Sequence, residues 1–321
     1  MLAILLVTFP FFALVLCGYV AARRRMLPLD AIPGLNSFVL YFAIPCMLYR
    51  FGASTPIAQL LDGAAIAVYL LCALVMVAFV VAGSLNRRIR WNDASFGALV
   101  AAFPNTGFMG VPLLVALLGA GAAGPAILTI LTDLVVTTSL CIALSRLDGA
   151  DEHGAAKAAK SALRGVALNP MPWAIVLGGT ASALKLEPVA PVMQTLSLLA
   201  DAASPVALFT IGAVLARSQM LAAQREHKPL PLRDFVPVAF VKLVVHPVLV
   251  LLVGAAAIYL GVPLDRFALT VMVLVAALPS ASNVSLLAER FGADTGRIAR
   301  IILLTTAAAF FTFSGAVALV H

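Results

Sequence analysis

Apolar stretches close to the ~20 residues that cross a bilayer as a helix alternate with short polar segments along the whole chain. The pattern predicts ten transmembrane helices, at 2–22, 34–53, 62–84, 94–118, 124–144, 168–184, 191–216, 235–260, 267–288 and 299–320. No remaining segment is long enough for a soluble domain. The first stretch starts directly after Met1 with no basic residue before it, and Leu14-Val15-Leu16 lacks the small residue that precedes a lipidated cysteine. It is therefore expected to stay as a helix and not to be cleaved as a leader.

Composition strengthens this reading. Of 321 residues, 63% are hydrophobic and 11% charged, against about 25% charged in an average soluble domain. Too little polar surface is present to cover a globule in water. The 21 basic residues then orient the helices. Segments after odd-numbered spans hold 17 of them: Arg23, Arg24, Arg25, Arg87, Arg88, Arg90, Arg146, Lys157, Lys160, Arg164, Arg217, Arg225, Lys228, Arg233, Arg290, Arg297 and Arg300. Segments after even-numbered spans hold three, Arg50, Lys185 and Arg266, and Lys242 lies inside a span. By the positive-inside bias the odd-numbered connections are cytoplasmic and both termini lie on the other side. The net charge of +7 is thus a topology signal, dispersed over short connections, and gives no ground for nucleic-acid binding.

The chain also carries a repeat. Pro10, Gly18, Pro45 and Gly52 match Pro170, Gly178, Pro205 and Gly212, all at an offset of 160, and Phe103-Pro104-Asn105 matches Leu278-Pro279-Ser280 at 175. Five spans per half force the second half to enter the membrane inverted. The predicted organisation is a first repeat at 1–146, a cytoplasmic loop at 147–167 and an inverted repeat at 168–321. Secondary transporters recurrently use this design.

Two spans cannot run as continuous helices. The fourth packs Pro104, Gly107, Gly110 and Pro112 into nine residues, and the ninth breaks at Pro279, followed by Ser280, Ser282 and Asn283. Proline removes an N–H donor and collides with the preceding turn. In hydrocarbon the freed backbone must face protein or water. Paired interruptions at corresponding places mark a transporter's binding site, and helix N-termini there suit an anion. Asn105, Thr106, Ser280, Ser282 and Asn283 are candidate hydrogen-bonding side chains, set against the plainer reading of two kinks that only shape packing.

Four ionisable residues fall within predicted spans: Asp133, Asp201, Lys242 and His246. Burying such groups in a bilayer is costly, so they usually pair or line a water path. Asp133 and Lys242 are expected to pair or to exchange partners during transport. Asp201 could couple or simply cap a helix, and His246, before Pro247, could relay protons or bond a carbonyl. Cys17, Cys46, Cys72 and Cys141 sit in apolar stretches as small hydrophobes. Asp148, Asp151, Glu152 and His153 read as solvated loop charge. No HExxH, GxxxxGK[ST] or GxSxG motif occurs, so neither catalysis nor a cofactor or metal is indicated.

The segment Phe103-Pro-Asn-Thr-Gly-Phe-Met-Gly-Val-Pro112 resembles the signature of the auxin efflux carrier family, which includes plant PIN carriers and bacterial malonate-transporter-like proteins. Leu35-Asn36-Ser37-Phe38-Val39 with Ile44-Pro45, Val241-Lys242-Leu243 with His246-Pro247, and Leu278-Pro279-Ser280-Ala281 through Ala288-Glu289-Arg290-Phe291-Gly292 extend the resemblance along nearly the whole chain. The resemblance implies an all-α integral membrane protein with ten helices in a five-plus-five inverted repeat, with helices four and nine crossing at their prolines. It implies a scaffold of helices one, two, six and seven, a transport domain of the other six, and elevator-like alternating access. Pro104, Asn105 and Pro279 would lie at the crossover and substrate site, with Ile44 as a scaffold-side contact. A homodimer in the bilayer of a bacterial inner membrane is also implied. The short loop at 145–164 and a third span whose only charge is Asp62 at its start, where plant carriers have acidic and basic residues, depart from the plant carriers, which makes a small carboxylate such as malonate a better expectation than auxin. Substrate, direction and coupling to protons, sodium or membrane potential stay open. A sodium-coupled bile-acid-type symporter and a non-transporting receptor of the same fold are the competing readings.

Overall fold

The computed structural model describes residues 2–147, 160, 163–224 and 231–320. The loop residues Asp148, Asp151, Glu152 and His153 lie outside them. Among the described residues the protein is all-helical. We number the main helices α1 (Leu2–Arg23), α2 (Leu29–Ser54), α3 (Gly63–Ser84), α4 (Trp91–Ala102), α5 (Thr106–Leu118), α6 (Ala120–Leu144), α7 (Pro170–Leu184), α8 (Ala190–Gln224), α9 (Val236–Tyr259), α10 (Arg266–Ala277), α11 (Val284–Phe291) and α12 (Thr295–Val320). Seven of them, α1, α2, α3, α6, α8, α9 and α12, are long and apolar enough to cross a membrane.

The predicted fourth span is two pieces, α4 and α5, and the predicted ninth is α10 and α11. Prolines also reshape helices that stay continuous. The hydrogen bonding widens by one residue per turn at Val39–Ala43, Thr106–Gly110 and Val241–Val245. Each widened turn ends two residues before a proline, at Pro45, Pro112 and Pro247. A wider turn gives the ring room against the carbonyl it would otherwise strike. A fourth such turn, Asp133–Thr137, precedes no proline; it begins at a buried carboxylate.

The chain forms two compact units: residues 1–62, 106–128 and 169–225, and residues 63–105, 129–168 and 226–321. In the first unit α1 packs along α8 and α7 along α2. Glycines set both contacts. A Cβ on Gly18 would lie 1.8 Å from the Phe209 carbonyl oxygen, and one on Gly212 1.8 Å from that of Val15. A Cβ on Gly178 would lie 2.5 Å from the Tyr49 oxygen, and the Gly178 Cα already approaches the position a Gly52 Cβ would take to 3.3 Å. These backbones touch because no side chain separates them. Asp201, part-way along α8, forms an exposed ion pair with Arg50 of α2 at 2.7 Å. Exposed ion pairs of this kind contribute about 0–1 kcal/mol.

In the second unit α3 packs against α4 and α9, α9 against α10, and α12 against α9 and α10. The connections at one end are tied together. Arg297, in the first turn of α12, is only 2% exposed. Its Nε donates to the Asp234 carbonyl and its Nη1 to the Asp93 carbonyl, both at 2.7 Å. The sequence had placed Arg297 among loop charges; it is instead a buried cross-link whose donors satisfy carbonyls where α4 and α9 begin. Gly97 makes room for it, since a Cβ there would come within 2.7 Å of Nη1.

Candidate substrate site at the helix crossover

Within the second unit the breaks after α4 and α10 meet. α4 ends when Phe103 turns extended, at ψ 102°, and α10 ends when Leu278 does so, at ψ 157°. The residues beyond run antiparallel, with Pro104 opposite Ser280. The Asn105 N–H donates to the Pro279 carbonyl at 2.8 Å, and the Ala281 N–H donates to the Phe103 carbonyl at 2.9 Å. The prolines need this arrangement: neither has an N–H of its own, and each ends a helix whose neighbours then lack partners. One reciprocal pair of bonds satisfies both breaks, as a non-aqueous setting demands.

Two further contacts complete the backbone there. The Ser280 N–H, which a continuous helix would point at Ala276, donates instead to Thr305 Oγ1 of α12 at 3.3 Å. The Ala276 carbonyl is taken by Lys242 Nζ of α9 at 2.8 Å. A fully buried lysine amine therefore stands at the C-terminal end of α10, where the helix dipole favours its charged form.

The side chains are less well satisfied than the backbone. Asn105 Oδ1 and Ser280 Oγ are buried and have no hydrogen-bond partner; their residues are 2% and 0% exposed. Leaving such a group unpaired costs about 1–3 kcal/mol. Polar atoms left open at a backbone break are what a ligand would occupy. Ser282 is buried, and Asn283 stands at the start of α11 without a side-chain cap bond.

A buried polar chain extends from this point. Lys242 Nζ lies 3.1 Å from His246 Nδ1, four residues along the same helix. The His246 ring stands 6.5 Å, centroid to centroid, from that of Tyr69 on α3. Tyr69 donates its hydroxyl to Asp133 Oδ2 at 2.8 Å, and Thr137 donates to Oδ1 at 2.9 Å. Asp133 and Lys242 are thus each held by other partners, without a direct bond between them. His246 Nε2 is buried without a partner.

Other predicted site residues lie in the first unit. Ile44 is fully buried at the turn into the last part of α2. Thr106 and Gly107 open α5; Thr106 Oγ1 is buried without a partner, and a Cβ on Gly107 would meet Met171 Cε at 3.0 Å. Asp201 is the exposed ion pair already described. Sequence reasoning did not single out Tyr69, Thr137 or Thr305. A tyrosine in the middle of an apolar span was a signal for the first. The two threonines had none, because threonine is common in such helices.

Long apolar helices with two broken ones pinned together, and unpaired polar atoms at the junction, define a multi-pass membrane transport protein. The chain belongs to the membrane transport protein family, the auxin efflux carrier family, whose model matches residues 4–317. It is 30% identical to the "Putative malonate transporter" of Rhizobium meliloti (strain 1021), across 97% of this chain and 94% of that protein. It is 29% identical to the "Uncharacterized transporter YfdV" of Escherichia coli (strain K12), across 89% of this chain and 88% of that one.

Proposed function

We propose that the protein is a secondary transporter or uniporter that carries a small organic anion, a carboxylate such as malonate, across a bacterial inner membrane by elevator-type alternating access. Its ten helices form two inverted five-helix repeats, with both termini periplasmic. The anion binds at the crossover, beside Asn105 and Ser280. The observation that carries this is the unpaired Asn105 Oδ1 and Ser280 Oγ at a sealed backbone junction, with the buried Lys242 of α9 bonded to the last turn of α10, which ends there. The Ser280 hydroxyl and the Asn105 amide N–H can donate to a carboxylate, the Asn105 Oδ1 can accept from a protonated carboxyl, and Lys242, when protonated, supplies the opposite charge.

The repeat is supported by how the four matched glycines pack. Gly18 and Gly212 set the contact of α1 with α8; Gly178 and Gly52 set that of α7 with α2. Shifting Gly18 forward and Gly212 back by 160 gives Gly178 and Gly52, so one contact maps onto the other. A pseudo-two-fold between the halves produces that exchange. The elevator reading is supported by the division of the chain into two compact units. Malonate comes first among candidates because of the name of the Rhizobium meliloti relative.

The test is uptake of labelled malonate, other small carboxylates and indole-3-acetate into proteoliposomes under an imposed membrane potential, with proton and sodium gradients as separate arms. Saturable uptake of one carboxylate that disappears in Asn105→Ala supports the proposal. Carboxylate flux absent under every gradient removes the substrate class, and a receptor-like role then becomes the better reading.

A further inference from the structure

A cavity of ≈ 350 Å³ opens in the second unit, away from the crossover. Gly83 and Ser84 at the end of α3, Asn86, Arg88 and Ile89 after it, Arg233 and Asp234 before α9, Pro237 and Val238 of α9, and Arg297 of α12 line it. The lining is strongly unbalanced, with three guanidinium groups and one carboxylate. Arg88 Nη2 lies 3.2 Å and Arg233 Nε 3.9 Å from that carboxylate, Asp234. Their side chains are 55% and 78% exposed, so both can turn to a new anion. Arg297 is already buried and held by two carbonyls, and its charge is fixed in place before any ligand arrives. Asp93 and Asp294 stand near Arg297 and offset its charge, each also accepting a backbone N–H, of Asp294 and of Arg297 respectively, so the free positive charge of the cavity comes from Arg88 and Arg233.

Three guanidinium groups around one concavity suit a phosphate, which planar forks grip bidentately. The location favours a phosphate that belongs to a lipid. The cavity lies where α3 and α9 leave the apolar region, on the side that the distribution of basic residues makes cytoplasmic. Phe79 of α3 and Val236 and Phe240 of α9 stay exposed on those packed helices, as acyl chains require. Gly83, on the lining, adds no bulk to it, and nothing lies within 4 Å of where its Cβ would be.

We propose that this cavity binds the headgroup phosphate of an anionic phospholipid of the cytoplasmic leaflet, gripped by Arg88 and Arg233 with the buried Arg297 behind them. Basic recesses between membrane helices on that side take such headgroups. The site is independent of the transported substrate.

Native mass spectrometry of the protein in detergent, titrated with phosphatidylglycerol or phosphatidylcholine, tests it. Phosphatidylglycerol should be retained in preference to phosphatidylcholine. Arg88→Gln and Arg233→Gln should each lower its retention about fivefold, and Gly83→Leu, which adds bulk to the lining and leaves every charge, should lower it as well. Arg87→Gln, in the same connection but outside the cavity, should leave it unchanged. Equal retention of the two lipids, or an equal loss in Arg87→Gln, overturns the proposal in favour of diffuse surface attraction. Displacement of the lipid by millimolar inorganic phosphate overturns the lipid assignment and makes the site one for a soluble phosphate.

Discussion

The Asn105 N–H donates to the Pro279 carbonyl at 2.8 Å while the Asn105 side-chain oxygen has no partner. The junction thus separates two tasks: the backbone holds the breaks together and the side chain is left for a ligand. Asn105→Ala keeps the backbone bond and removes the unpaired group. We expect uptake to fall at least tenfold while thermal stability holds or rises by up to about 1 kcal/mol, because a buried unpaired amide is costly. Ser280→Ala should behave alike. Scanning fluorimetry and uptake on the same preparations separate the effects, and full transport by either variant would remove the residue from the site.

Lys242 satisfies the last turn of α10 by bonding the Ala276 carbonyl. Lys242→Met fills similar space without a donor, so that carbonyl loses its partner. A stability loss of about 1–3 kcal/mol is expected, together with loss of uptake. A chemical-denaturation midpoint no lower than that of the unaltered protein would show that the bond does not support the junction.

Asp133 and Lys242 belong to one buried polar chain but do not touch. Removing either alone leaves the opposite charge uncompensated in the membrane interior, which is the costly situation. Asp133→Asn with Lys242→Gln removes both. The double variant should therefore be more stable than the worse single one, a non-additivity that a double-mutant cycle reads directly. A double variant no better than the worse single one would mean that the two charges act separately, each within its own hydrogen bonds.

Much of this was legible in the sequence because backbone chemistry is local. Pro104 and Pro279 cannot donate, so the breaks at Phe103 and Leu278 follow from residue identity; the 160-residue offset marked four glycines, but which backbones they bring together was not legible in it. The contents of the polar chain were not legible. Tyr69 reaches Asp133 across 64 positions, and packing of α3 on α6 sets that meeting, not spacing. The Lys242–His246 contact, by contrast, spans one helical turn and follows from position. Arg297 was misread for a plainer reason: α12 begins at Thr295, four residues before the predicted span, and carries the arginine into the protein.

The glycine contacts yield the sharpest structural prediction. A methyl on Gly18 or Gly212 would stand 1.8 Å from a carbonyl oxygen of the facing helix. That oxygen belongs to a helical backbone and cannot swing aside as a side-chain tip would. The helices must separate, and α1 and α8 lose contact along their length. Gly18→Ala and Gly212→Ala should each cost about 3 kcal/mol or more, at the upper end for overpacking. Gly63→Ala begins α3 with nothing within 4 Å of its Cβ position and should be neutral or stabilising by up to about 1 kcal/mol, as alanine favours helix. Thermal midpoints of the three variants, in one detergent, decide the matter. If Gly18→Ala and Gly212→Ala melt with Gly63→Ala, the close approach of α1 and α8 is wrong, and the glycine exchange that supports the inverted repeat loses half its basis.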